Sequence, residues 1–80
     1  MSNRFTLYSR PGCHLCEEMM TTLQDIGAGN LFQVDVVNID KDPVLQHLYG
    51  ARIPVLVSAQ DDRVISEHFL DKKVFLDSLK

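Results

Sequence analysis

No tryptophan, two cysteines, three prolines and four glycines occur in this 80-residue chain, and what is scarce already narrows its function. Nowhere do basic residues cluster beyond the pair Lys72-Lys73, and the formal net charge is −3, so neither nucleic acid nor an anionic membrane surface is an expected partner. No apolar run approaches the ~20 residues of a membrane span. The opening residues, Met1-Ser2-Asn3-Arg4, lead into a strand-like run rather than an apolar signal segment. The cytoplasm is therefore the expected compartment. Repeats, linkers and low-complexity stretches are also missing, so residues 1–80 are read as one domain. A chain this short buries only about 60–70% of its extended surface and can build one compact core.

What is present is concentrated in Tyr8-Ser9-Arg10-Pro11-Gly12-Cys13-His14-Leu15-Cys16-Glu17, which holds both cysteines. Pro11 and Gly12 bend the chain just before the first of them. If Cys13 opens a helix, residues three apart have Cα atoms about 5 Å from one another. That separation lies inside the window of a disulfide, so Cys13 and Cys16 can close a bridge or open to a dithiol with little backbone movement. Unpaired N–H groups and the dipole at a helix start favour the thiolate of Cys13. In a reducing compartment such a pair points to a catalytic or metal role more than to a structural bridge. Two cysteines supply only two of the four ligands of a tetrahedral zinc site, and neither His47 nor His68 stands at zinc-finger spacing, so no metal site is expected.

Taken in order, residues 4–8 alternate as a strand. Leu15, Met19, Met20, Leu23 and Ile26 recur at helical spacing after Cys13, with Gly27 placed as a left-handed cap. Residues 31–38 read as a second strand, nearly continuous in apolar residues and so expected to be buried and parallel. Asp42-Pro43 looks like an N-cap and first helical residue, opening a short helix through Tyr49 with Gly50 after it. Residues 53–59 and 63–69 then read as an antiparallel hairpin turning at Gln60-Asp61-Asp62. Asp71 caps a last helix to Lys80, with Leu70 and Phe75 spaced as a hydrophobic staple. The order βαβαββα implies an α/β fold: a four-stranded mixed sheet flanked by helices, its first two strands parallel through a right-handed crossover. Cys13 falls in a strand-to-helix loop, where such sheets bind ligands.

This order, with Cys-x-x-Cys opening the first helix, resembles the thioredoxin fold, and within it the short glutaredoxin-like proteins, over essentially the whole chain. Tyr49-Gly50-Ala51-Arg52-Ile53-Pro54-Val55-Leu56 is similar to the segment carrying that family's cis-proline. The resemblance implies a thiol–disulfide oxidoreductase with Cys13 as nucleophile and Cys16 as resolving thiol. It further implies that the backbone of Ile53 pairs with an extended substrate beside Pro54, and that Arg10 lies near the carboxylate of glutathione. The expected partner is a protein or small-molecule disulfide, with glutathione a candidate reductant, no tightly bound cofactor, and a monomeric state. Competing readings are a non-catalytic binding module and a carrier of an iron–sulfur cluster held between two protomers. Three features depart from the family pattern: His14-Leu15 between the cysteines, no paired glycines in Glu67-His68-Phe69-Leu70-Asp71, and no tryptophan ahead of Cys13.

The charges around Cys13 oppose one another. The helix start, Arg10 and His14 favour a thiolate, whereas Glu17, four residues on and so on the same helical face, disfavours it. A thiol pKa moderately below the free value is expected. His14 is read equally as a residue tuning the thiolate or touching substrate and as an exposed first-turn residue. Arg52 reads as a solvated arginine more than as a substrate contact beside Pro54, and Asp40-Lys41-Asp42 as a helix start.

Overall fold

The computed structural model of the protein describes residues 3–27 and 32–79. Strand β1 (Arg4–Ser9) leads to helix α1 (His14–Ile26), which crosses to strand β2 (Gln33–Asn38). A 3-10 turn (Ile39–Lys41) and helix α2 (Pro43–Tyr49) follow. The hairpin β3 (Val55–Ser58) and β4 (Val64–Glu67) and helix α3 (Lys72–Ser78) complete the chain. The sheet order is β2-β1-β3-β4, with β1 parallel to β2 and antiparallel to β3, and β3 antiparallel to β4. This is the mixed four-stranded sheet that the element order implies.

Alternation along β1 sends Phe5 and Leu7 to one face, where Cys16, Met19 and Leu23 form the buried stripe of α1. Phe75 of α3 is fully buried there, its ring 5.0 Å from that of Phe5 and 4.9 Å from that of Phe32. Burying each such side chain contributes about 1.5–3 kcal/mol. Helix α3 is anchored at its start, where the Asp71 carboxylate accepts from the N–H of Val74 (3.2 Å) and the buried Ser66 hydroxyl accepts from the N–H of Asp71 (2.9 Å). Leu70 packs against the same core, as a staple to Phe75 requires. Helix α2 buries none of its residues and is held by its cap, the Asp42 carboxylate accepting from the N–H of Val44 (2.9 Å).

Several sequence expectations need correction. Strand β2 is parallel to β1 but is an edge strand, and Val36 is 53% exposed. Its apolar run reflects one half-covered face, because Val34 packs against the core while Val36, nearer the start of α1, does not. Gly27 is not left-handed (φ −81°, ψ 10°). A Cβ there would stand 3.1 Å from Cζ of Phe32, so close approach of that ring, not handedness, favours glycine. The hairpin strands are shorter than the apolar runs: Ile53 and Pro54 precede β3, and the chain leaves β4 after Glu67 because His68 turns left-handed (φ 64°). Helix α3 closes at Ser78 with Leu79 as its cap. The expected strand start at Leu31 and helix end at Lys80 lie outside the described residues.

Candidate active site

The chain leaves β1 through a tight turn from Arg10 to Cys13, closed by the Cys13 N–H donating to the Arg10 carbonyl (3.3 Å). Pro11 occupies the second turn position and Gly12 the third, with φ +79°. That is the type II pattern, in which the third residue takes a positive φ. The turn delivers Cys13 in extended conformation (φ −80°, ψ 107°) as the N-cap of α1. Its carbonyl accepts the first helical bond from Glu17 (3.1 Å), and its Sγ accepts from the N–H of Cys16 (3.1 Å). A sulfur at this position meets an otherwise unpaired helix N–H and the positive end of the helix dipole, both of which favour negative charge on it.

Cys13 and Cys16 are joined as a disulfide, with Cα atoms 5.2 Å apart. Cys13 is partly exposed, whereas Cys16 is 5% exposed beneath it. A reagent therefore meets Cys13 first. Beside the pair lies a cleft of about 340 Å³ between the turn, α1 and the β2 edge. Leu7, Met20 and Val36 supply its apolar lining, and Arg10, Glu17 and Asn38 polar groups.

The remaining sequence-predicted residues are distributed around this cleft. Arg10 lines it but is engaged, its Nε donating to Oδ1 of Asp40 (3.1 Å). His14 faces away, its side chain 85% exposed and its Nε2 3.5 Å from Oε1 of Glu18. The Ile53–Pro54 peptide bond is cis. It reaches the same end of the sheet, since Val55 pairs with Tyr8 at the end of β1, but it does not line the cleft. The Ile53 N–H is already donated to the carbonyl of Tyr49 (3.0 Å). Strand-like pairing there would draw on the Ile53 carbonyl alone.

Two further links brace this proline segment against β4. The N–H of His68 donates to the Pro54 carbonyl (2.9 Å), and Nε of Arg52 donates to Oε1 of Glu67 (2.6 Å). The Arg52 hydrogen bond holds the Glu67 carboxyl below its ordinary range, and Glu67 in turn raises the guanidinium. Arg52 also stands 5.4 Å from the centre of the Tyr49 ring, which stacks on Tyr8 at 4.2 Å. Burial, then the neighbouring Tyr49, pushes the Tyr8 phenol up. Arg52 is thus a brace, although its side chain stays 40% exposed. Among the described residues no three His, Cys, Asp or Glu side chains gather as a metal site.

Residues 4–80 match the family described as Glutaredoxin-like domain (DUF836). The chain belongs to that family. No curated protein matches the sequence. Among solved structures, an NMR structure of a Nitrosomonas europaea protein is 36% identical with a TM-score of 0.89, covering 100% of this chain and 94% of that one. An X. campestris protein is 31% identical with a TM-score of 0.68, over 92% of this chain and 96% of that one. Thioredoxin 1 of Thermosipho africanus, at 11% identity and a TM-score of 0.63 over 95% and 89% of the two chains, shares the fold. The glutaredoxin-like domain therefore has the thioredoxin-like architecture that its motifs resemble.

Within this domain the structure brings Arg10, Cys13 and Cys16 to one cleft and leaves His14, Ile53 and Pro54 outside its walls. Sequence reasoning missed Leu7, Met20 and Val36 as its apolar lining. Their signal is parity: Leu7 pairs with Val36 across β1 and β2, which places both on the face of α1, but only the strand register reveals it. The pairing of Arg10 with Asp40, thirty positions away, had no local signal.

Proposed function

We propose that this glutaredoxin-like domain is a thiol–disulfide oxidoreductase working by dithiol exchange. The observation that supports it best is the asymmetry of the pair: Cys13 at the cap of α1 and open to the cleft, Cys16 buried and within bonding reach. In the reduced protein the Cys13 thiolate attacks one sulfur of a substrate disulfide, forming a mixed disulfide and expelling the other half as a thiolate. The Cys16 thiolate then attacks Sγ of Cys13, forming the intramolecular bond and releasing the second half. Two electrons pass to the substrate, and the two protons given up by the cysteines end on the released thiols. Glutathione is the candidate reductant that reopens the bridge, and the cytoplasm, where such pools keep thiols reduced, is the compartment this reaction suits.

Equilibration against glutathione redox buffers, read by thiol trapping, tests the proposal. A two-electron transition at roughly −200 to −270 mV, the span of thioredoxins and glutaredoxins, is expected. Cys13→Ser should abolish reduction of a small disulfide, while Cys16→Ser should accumulate the mixed disulfide on Cys13. Absence of any transition, or full activity in Cys13→Ser, would remove the enzyme and leave a binding module on the same fold.

A further inference from the structure

The two charged groups that line the cleft are not equivalent. The Arg10 guanidinium is engaged by Asp40 at 3.1 Å, so its charge is largely neutralised where it stands. Glu17 lines the same cleft, is exposed, and its carboxylate has no partner among the described residues. Its neighbour Glu18 lies outside the cleft and faces His14 at 3.5 Å. The uncompensated charge next to Cys13 is therefore negative, and it borders an apolar wall of Leu7, Met20 and Val36.

Resting on the proposed exchange reaction, we propose that the cleft selects polypeptide disulfides in which a basic residue flanks the half-cystine, with Glu17 as the specificity-determining residue. A lysine or arginine has the matching form: a hydrocarbon stem of three or four methylenes that covers apolar surface and a charge at its tip. The stem lies along Met20 and Val36, and the cation meets Glu17. An anionic disulfide meets the same carboxylate as a repulsion, which disfavours glutathione disulfide as the substrate of the first step. Selection combines attraction to one charge with rejection of the other.

The test uses two symmetric disulfides of short, end-blocked peptides, identical but for Lys or Glu beside the cysteine. Each is reduced by the open dithiol, which closes as two peptide thiols are released. Unit charges about 7 Å apart in water alter an encounter by a factor of about 3, so attraction and repulsion together give a Lys:Glu rate ratio shift of roughly five- to tenfold. Low ionic strength keeps the effect unscreened. Glu17→Gln should lower the ratio by that factor. Glu18→Gln removes the same charge farther away, outside the cleft, and by the same arithmetic at about 12 Å should change it only about threefold. Arg10→Gln, which leaves Asp40 uncompensated, should raise it. Comparing ratios cancels any change in the thiolate fraction of Cys13 and any difference in leaving thiols. Equal ratios in Glu17→Gln and Glu18→Gln would overturn the selection while leaving the exchange reaction intact. Failure of the wild type to reduce either peptide or any small disulfide would instead remove the reaction on which the inference rests.

Discussion

Gly12 allows a sharp test of how the turn presents Cys13. Its φ of +79° is open to glycine but unfavourable for an L-residue, and a Cβ built there meets no atom within 4 Å. Any cost of Gly12→Ala is therefore conformational, not a clash. Holding an L-residue in this region costs about 1–2 kcal/mol. Alanine also restricts the unfolded chain, which returns about 0.4–1 kcal/mol. The net loss for L-alanine is then about 0–1.6 kcal/mol, centred on about 0.8, against a total of about 4–12 kcal/mol for a domain of this size. D-alanine has the mirror preference: it keeps the entropic gain without the strain.

Both enantiomers are accessible, because the residue after Gly12 is a native cysteine. A thioester of residues 1–12 can be ligated to residues 13–80 at Cys13 without adding any atom to the sequence. With the disulfide closed in all samples, urea unfolding gives the stabilities. The unfolded-state contributions of the two enantiomers are alike, so their difference isolates the backbone strain at about 1–2 kcal/mol. With a urea m-value of roughly 1 kcal/mol/M, the midpoints should differ by about 1–2 M, D-alanine above glycine and L-alanine below it. Coincident midpoints would show that handedness does not reserve this position, and the type II account of the turn would fail.

Two other perturbations probe the frame around the site. Arg52 lowers the pKa of Glu67, so their pairing stabilises the fold above the ordinary carboxylate pKa and this contribution is lost as pH falls through the lowered folded value. Arg52→Ala should therefore lower the urea midpoint at neutral pH and converge with wild type in acid, whereas a deficit equal at both pH values would assign the role of Arg52 to its contact with Tyr49 instead. In α3, Phe75→Leu removes two ring contacts from a fully buried site and should cost about 1–2.5 kcal/mol by the same assay. Leu76→Ala, at a position 46% exposed, should cost under about 0.5 kcal/mol; a reversal of that order would refute the packing assigned to this helix.

The parts of the fold that were legible in the sequence are those set by short separations. Cys13 and Cys16 are three residues apart across the start of one helix, the first as its N-cap, so their 5.2 Å spacing stays close to the helical value. Asp42-Pro43 and Asp71 announce their helices for the same reason, since a cap acts on N–H groups two or three residues away. Strand β2 was misjudged because its apolar content is local but its place at the sheet edge is not. A run containing Val34, Val36 and Val37 reads the same whether its outer side is covered or open. Gly27 illustrates a subtler ambiguity: glycine after a helix suggests a left-handed cap, yet here the ring of Phe32 occupies the space that a side chain would need.

Charge around the cysteines shows most clearly what short-range reading leaves out. By sequence, Arg10 and Glu17 are opposing influences on Cys13, each within four positions of it. The fold sets them apart by carrying Asp40, in the 3-10 turn after β2, to Arg10, while nothing among the described residues comes to the Glu17 carboxylate. The basic residue before the first cysteine is here already paired within the chain, with Asp40 at 3.1 Å. In the proposed exchange the same asymmetry acts on both partners. Around Cys13 the helix N-terminus remains to favour the thiolate against Glu17, and around the substrate Glu17 remains to favour a cation. On that proposal reactivity and selectivity depend on one carboxylate in opposite senses: Glu17→Gln should make Cys13 a readier thiolate and, by the same loss of charge, a less discriminating one.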